Sequence, residues 1–129
     1  MNFNQKATIL LKKCDIRDKL KLLLGKEITI YIDRQLGTKH PKFPNLIYPI
    51  NYGYIKEIIA LDNKYQDAYL LGVTEPLEKY VGKVYAIIIR EDDIEDKLVI
   101  IPKNMEFTID EIDKQVNFQE KHFKYKIIK

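Results

Sequence analysis

Residues Ile47 to Ile55 read Ile-Tyr-Pro-Ile-Asn-Tyr-Gly-Tyr-Ile. This segment limits the number of possible folds more than any other part of the chain. Pro49 has no amide proton for a sheet ladder and Gly53 has no side chain to pack, so both are unfavourable in an ordinary strand. The even spacing of the three tyrosines is also typical of a buried aromatic row. Because buried tyrosine hydroxyls need hydrogen-bond partners, we favour a polar pocket wall with a tight backbone turn.

The sequence on either side of this segment predicts a strand-rich body. Ile28, Ile30 and Ile32 alternate with polar residues, which is typical of a half-buried strand beginning near Glu27. Further strands are expected at 48–60, 67–72, 83–90 and 97–102. A helix is predicted at 15–25, and a second helix follows Thr108, which stands at capping-box spacing from a glutamate. Short strands with turns between them bury best by curling on themselves.

We therefore predict an α+β fold, a small OB-like closed β-barrel of about five strands with an N-terminal helix and a C-terminal helix. Residues 1–26 are interpreted as an N-terminal helical extension, and residues 27–129 as the barrel domain. The extension includes 6–13, where a separate helical piece that ends before Asp15 is an alternative, and Cys14, which we interpret as a small apolar residue.

Composition limits the class of protein. The chain has 129 residues, of which 46% are hydrophobic and 32% charged, as in a soluble globular protein. It has no apolar run of membrane-spanning length, so we expect no membrane partner and a cytoplasmic location. A single cysteine excludes an internal disulfide and a cysteine zinc cluster. The net charge of +3 describes a mixed surface, which argues against DNA as a partner.

Two acidic segments suggest a metal site. Asp62 and Asp67 flank a turn, where carboxylates five residues apart can converge on one hard cation such as Mg²⁺. Asp92, Asp93 and Glu95 belong to a second acidic run, which would complete that site from the facing loop. For each segment taken alone, a solvated turn or hairpin loop is the more ordinary interpretation.

Cations are spread over separate loops. Arg34, Lys39, His40 and Lys42 lie in the loop 34–45, and Lys124 follows the C-terminal helix. Such a distribution suits a compact anion such as phosphate, whereas a nucleic acid duplex would need a continuous basic stripe.

Taken in order, the tyrosine segment, the two acids downstream, and the acidic loop that runs into Lys97 resemble the soluble magnesium-dependent inorganic pyrophosphatases of the single-barrel type. The family signature, Tyr-Pro-any-Asn-Tyr-Gly-Tyr followed by Ile or Val, is matched throughout residues 48–55. The chain is also similar to the short pyrophosphatase-like proteins of some bacteria. The resemblance implies a five-stranded barrel that hydrolyses pyrophosphate to two phosphates with Mg²⁺.

The resemblance also implies roles for individual residues. Tyr52 matches an active-site tyrosine, and Lys97 matches a lysine that contacts phosphate. Asp62 and Asp67 match the first and last acids of a metal-binding motif. Together with the loop cations, these matches give an expected site of three groups: catalytic Tyr52 and Asp67; substrate-binding Arg34, Lys39, His40, Lys97 and Lys124; and metal-binding Asp62, Asp67, Asp92, Asp93 and Glu95.

Two departures leave alternatives open. Lys64 stands at the middle of the metal-binding motif, where the family has an acid, and Tyr31 stands where a metal-site glutamate is expected.

The first hypothesis is an inorganic pyrophosphatase-like hydrolase acting on pyrophosphate or a related phosphate compound. The alternative is a catalytically degenerate barrel that binds phosphate or a nucleotide. A third hypothesis, a barrel that binds single-stranded nucleic acid through its tyrosines, ranks below both. The sequence leaves a homo-oligomer open.

Overall fold

The computed structural model describes residues 15–129. Helix α1 covers 15–22 within that range and leads into the barrel through Gly25, whose φ of +86° is the left-handed conformation that glycine adopts easily. The remaining elements follow in chain order: β1 (Glu27–Arg34), β2 (Asn51–Ile59), β3 (Tyr65–Leu70), β4 (Lys79–Arg90), β5 (Lys97–Ile101), α2 (Ile109–Glu120) and β6 (Tyr125–Ile128).

The strands close into a barrel. Their order is β1-β2-β3-β5-β4, and β1 pairs back onto β4, so the five strands form a closed ring. Only the β3–β5 pair is parallel within this ring. Outside the ring, β6 pairs with the last residues of β4, from Ile87 to Arg90. The predicted α+β barrel of about five strands, with a helix at each end of the chain, is confirmed.

The barrel interior is filled by the inward-facing residues of the alternating strands. Ile30 and Ile55 are fully buried there, together with Leu70 and Leu98. Leu20 of α1 is 1% exposed and joins the same cluster, so α1 contributes to the barrel core. The division of the chain at residue 26 stays a prediction.

A second core lies between the outer face of the barrel and α2. Ile112 and Val116 of the helix are fully buried against Tyr69 of β3 and Val99 of β5. The helix begins with the predicted capping box, in which the Thr108 hydroxyl accepts from the amide three residues on. Because this second core holds α2 on the barrel, the last turn of the helix lies beside the functional site.

Gly53 explains part of the unusual tyrosine segment. A β-carbon at this position would lie 1.7 Å from the Tyr31 carbonyl oxygen of the neighbouring strand. The close approach of β1 and β2 therefore requires glycine, because any side chain would collide with backbone.

Several expected bounds differ from the structure. β2 begins at Asn51, β3 begins two residues earlier than predicted, and β4 begins four residues earlier. The sequence did not predict β6, and α2 ends at Glu120. The expectations for 6–13 and Cys14 fall outside the described residues. Neither described helix has the length and apolarity needed to cross a membrane.

Candidate functional site

A cavity of about 550 Å³ opens on the outer face of the barrel, between β2, β3, β4 and β5, the end of α2 and the loop that joins β1 to β2. We call it the cationic pocket, because four arginine and lysine side chains line it against two carboxylates. The cations are Arg34, Lys42, Arg90 and Lys97, the carboxylates are Asp67 and Glu95, and the other lining residues are His40, Phe43, Leu46, Tyr48, Tyr52, Gln119, His122 and Phe123.

Lys97 and Asp67 meet because their strands are parallel neighbours. Ala68 of β3 pairs with Leu98 of β5, which places the preceding residue of each strand side by side. The Lys97 ammonium is 2.6 Å from Asp67 Oδ2 and 3.6 Å from Glu95 Oε2, and its side chain is 2% exposed. A nearly buried ammonium therefore contacts both carboxylates of the pocket.

Tyr52 lies on the pocket side of β2, with its ring centroid 5.8 Å from the Lys97 ammonium. Burial raises the pKa of the Tyr52 hydroxyl well above its ordinary value, and the nearby Asp67 carboxylate raises it further. The hydroxyl therefore stays protonated at neutral pH and can donate a hydrogen bond to an anion.

Arg90 anchors the inner end of the pocket. Its guanidinium donates to both carboxylate oxygens of Glu120, at 2.9 and 2.7 Å, and its centre lies 3.7 Å from the Phe123 ring centroid. Tyr69 also donates to Glu120, at 2.7 Å. Burial alone would lower the pKa of Arg90, but the hydrogen bonds to Glu120 outweigh it and the pKa is raised. Arg90 is therefore a permanent cation, held in place by α2.

Arg34 enters the pocket from the end of β1. The pairing of β1 with β2 shifts register between Ile32 and Arg34, a bulge that redirects the last side chain of the strand. The guanidinium lies 5.8 Å from the Tyr48 ring centroid. Its Nη1 is buried and has no hydrogen-bond partner among the residues that the structure describes. A buried donor left unpaired is costly, so this nitrogen is the main candidate for contacting a ligand.

The polar residues of the tyrosine segment also stabilise the fold through hydrogen bonds. Asn51 is fully buried, its Oδ1 accepts from the Leu36 amide, and its Nδ2 donates to the Glu75 carbonyl. The Tyr48 hydroxyl donates to Gln119 of α2. The segment therefore forms a pocket wall and also fixes the loop that carries Arg34 and His40.

Six of the predicted site residues line the pocket: Arg34, His40, Tyr52, Asp67, Glu95 and Lys97. Five do not: Lys39, Asp62, Asp92, Asp93 and Lys124.

The five outlying residues have other contacts. Asp62 Oδ1 accepts from the Lys64 amide within the turn between β2 and β3. Asp92 accepts from the Lys124 amide, and Asp93 pairs with Arg90 at 3.2 Å. Lys39 forms an isolated backbone bridge within its loop. Asp62 therefore stabilises a turn, Asp92 joins two loops, and Asp93 belongs to an ion pair.

The side chains that the structure describes do not fit the magnesium site that the resemblance implies. Within residues 15–129 no group of three or more histidine, cysteine, aspartate or glutamate residues is arranged to hold a metal ion. The carboxylates that do face the pocket, Asp67 and Glu95, already contact ammonium or guanidinium groups. The described residues therefore provide no set of ligands for the predicted Mg²⁺.

Sequence reasoning did not assign three polar pocket residues to the site: Arg90, Gln119 and His122. Arg90 had a usable signal, since it ends an apolar strand and precedes an acidic run. A charge at such a position needs a buried partner, but the partner is Glu120, 30 residues further along the chain.

Neither a protein-family model nor a curated protein matches this sequence. Solved structures are similar in fold. The inorganic pyrophosphatase from Ehrlichia chaffeensis matches with a TM-score of 0.62 at 14% identity, over 81% of this chain and 86% of that one. The inorganic pyrophosphatase from Coxiella burnetii matches with a TM-score of 0.59 at 14% identity, over 81% of this chain and 84% of that one. The one from Neisseria gonorrhoeae matches with a TM-score of 0.54 at 18% identity, over 73% of this chain and 72% of that one. At these identities the likeness is one of fold, and the chain has the barrel fold seen in inorganic pyrophosphatases.

Proposed function

We propose that the chain binds pyrophosphate, or a related phosphate compound, in the cationic pocket, with arginine and lysine side chains supplying the positive charge. The observation that carries this proposal is Arg34 Nη1, buried and without a hydrogen-bond partner among the described residues. A phosphate oxygen accepts strongly from a guanidinium, so a bound anion would remove the cost of the unpaired donor. The fold shared with structures named as inorganic pyrophosphatases supports the same class of ligand.

This mode of binding does not require a metal ion. In a site built on carboxylates, divalent cations must offset the negative charge of both protein and phosphate. Here the two pocket carboxylates contact Lys97 and Arg90, whereas Arg34 and Lys42 form no salt bridge with a carboxylate of residues 15–129.

Isothermal titration calorimetry with pyrophosphate tests the proposal, first in EDTA and then with added Mg²⁺. We expect binding in EDTA. Arg34→Gln should weaken it roughly tenfold or more, because a hydrogen bond to a charged group contributes about 1.5–3 kcal/mol. Lys39→Gln is the matched control: it removes a cation from the same loop but outside the pocket, and should change the affinity less than about twofold.

Binding that is absent in EDTA and appears only with Mg²⁺ would contradict the proposed metal-free mode. Equal losses of affinity in Arg34→Gln and Lys39→Gln would also contradict it, since they would indicate general attraction by a basic loop.

Magnesium-dependent hydrolysis of pyrophosphate is the second candidate. The pocket brings together Tyr52, Asp67 and Lys97, the residues to which the resemblance assigns catalytic and phosphate-contacting roles. Lys97 would neutralise phosphate oxygens, and the protonated Tyr52 hydroxyl would donate to one of them. Release of phosphate is measured with and without Mg²⁺ in the wild type and in Asp67→Ala. Release that needs Mg²⁺ and is lost in the variant favours the hydrolase, and no release at any Mg²⁺ concentration excludes it.

The expected cytoplasmic location, the absence of DNA and membrane partners and the open question of a homo-oligomer stay predictions. A small phosphate compound as ligand agrees with them, since it places no demand on a membrane or a nucleic acid.

A further inference from the structure

An exposed phenyl ring stands at the rim of the cationic pocket. Phe43 is 61% exposed and nevertheless lines the cavity. Its ring centroid is 5.0 Å from that of His40, which in turn stacks nearly parallel on Tyr48 at 5.9 Å with an interplanar angle of 7°. We call these three rings the aromatic stack. It begins at the buried ring of Tyr48 and ends on the exposed ring of Phe43 in the pocket.

The loop holds this open ring in place by backbone hydrogen bonds. The Leu46 amide donates to the Phe43 carbonyl at 2.9 Å, and the His40 amide donates to the Leu46 carbonyl at 2.8 Å. The Lys42 amide donates to His40 Nδ1 at 3.0 Å, which requires that nitrogen to be unprotonated. A neutral imidazole keeps the stack free of added charge, and the fixed loop lowers the entropy cost of binding a planar group.

The size of the cavity also exceeds what a small inorganic anion needs. A volume of about 550 Å³ lies within the range of roughly 300–1,000 Å³ typical of sites for drug-sized ligands. Pyrophosphate is much smaller than such ligands and offers nothing to an exposed phenyl ring.

We propose that the natural ligand is a nucleotide, with its base stacked on Phe43 and its phosphates at Arg34 and Lys42. The inference rests on the proposed function, because the phosphate end uses the cationic pocket. Arg34 lies over Tyr48, and Lys42 precedes Phe43 in the loop; both cations line the same cavity as the aromatic stack. A planar base joined to a short anionic chain matches this arrangement in both shape and charge.

A second aromatic row lies outside the pocket and provides a control. Tyr54 stacks between Tyr31 and Tyr65, at centroid distances of 5.9 and 5.5 Å, and the Tyr65 side chain is 46% exposed. None of the three rings lines the cavity. Removal of the Tyr65 ring therefore controls for the loss of an exposed aromatic side chain from the barrel surface.

Phe43→Trp gives a direct readout of stacking. The natural sequence contains no tryptophan, so the variant carries a single indole at the rim of the pocket. We expect ADP, GDP, CDP or UDP to quench its fluorescence in a saturable manner. Pyrophosphate, which binds the same cations but has no base, should leave the emission nearly unchanged.

Calorimetry on the wild type, Phe43→Leu and Tyr65→Leu then separates the two ends of the ligand. At least one nucleoside diphosphate should bind the wild type more tightly than pyrophosphate. Phe43→Leu should weaken that nucleotide roughly 5- to 150-fold, the usual contribution of one stacked base, and change pyrophosphate affinity less than about twofold. Tyr65→Leu should alter neither.

The inference is overturned if pyrophosphate binds and no nucleoside diphosphate binds more tightly, a result that leaves the proposed function standing. It is also overturned if nucleotide affinity depends on Tyr65 and not on Phe43. Failure of both pyrophosphate and nucleotides to bind defeats the proposed function itself.

Discussion

Lys97 lies between Asp67 and Glu95, two of the carboxylates that the sequence analysis assigned to a metal site. Its ammonium contacts Asp67 and Glu95, while Asp67 is 35% exposed and Lys97 only 2%. Lys97→Met should lower the free energy of unfolding by about 1–3 kcal/mol, less than for a fully buried pair because solvent screens Asp67. It also releases both carboxylates, so Mg²⁺ should raise the melting temperature of the variant more than that of the wild type.

The control for this prediction is the double variant Lys97→Met with Asp67→Asn, which removes a carboxylate that the ion would need. Thermal unfolding by circular dichroism, with and without Mg²⁺, gives the comparison. An equal Mg²⁺ effect in the wild type and in Lys97→Met would show that the lysine does not replace a metal ion.

The sequence predicted individual residues well where the chemistry is local. Tyr52, Asp67 and Lys97 were identified from a short signature and its spacing, and all three line the pocket. Asp62 and Asp92 do not line the pocket. Their carboxylates accept from local backbone amides, which spacing alone does not reveal.

At the level of single elements, the close contact of β1 and β2 depends on Gly53. Gly53→Ala places a methyl group where the Tyr31 carbonyl lies, and both atoms belong to rigid strands. We expect a loss of about 3 kcal/mol or more in the free energy of unfolding, measured in urea. Lys56→Ala, an exposed change on the same strand, should cost much less. A Gly53→Ala protein as stable as the wild type would contradict the observed register.

The ion pair between Arg90 and Glu120 ties α2 to the barrel. Both side chains are nearly inaccessible, at 3% and 0% exposure. Glu120→Leu leaves Arg90 without its main partner, and should destabilise the protein by about 3–5 kcal/mol. Arg90→Met combined with Glu120→Leu should recover much of that loss, because an apolar pair has no buried charge. Urea unfolding of both variants tests this, and a double variant less stable than Glu120→Leu would contradict it.

Element prediction succeeded where periodicity was strong and failed where it was weak. The alternation in β1 and the capping box of α2 were recognised directly. β6 has four residues and no clear alternation, and it is a strand because the free edge of β4 pairs with it. Tertiary pairing of that kind is not encoded in the local pattern.

At the scale of the whole molecule, the barrel was predicted from strand number and the resemblance, but the chemistry of its pocket was not. The loops of the sequence contain both acidic and basic residues, and their spacing does not show which of them share a site. The fold then places four cations and two acids at one site, through strands that are distant in sequence.

The same packing of barrel against α2 predicts an alkaline limit to stability. Burial raises the pKa of Tyr52 and Tyr69 well above the ordinary value of 10.0, and the carboxylates of Asp67 and Glu120 raise it further. Above pH 10 the unfolded chain therefore loses protons that the folded chain keeps, and stability falls as the pH rises. Each group contributes a slope of roughly 1.4 kcal/mol per pH unit in that range.

Urea unfolding between pH 9 and 11 measures this slope. Tyr69→Phe removes one of the two groups and should reduce the slope by about that amount per pH unit, at the cost of its hydrogen bonds to Glu120 and Gln119 at lower pH. Tyr65→Phe, which removes the hydroxyl of a half-exposed tyrosine, serves as the control for the substitution itself. Parallel profiles for the wild type and Tyr69→Phe would mean that the Tyr69 hydroxyl is not held in its protonated form by the junction between β3 and α2.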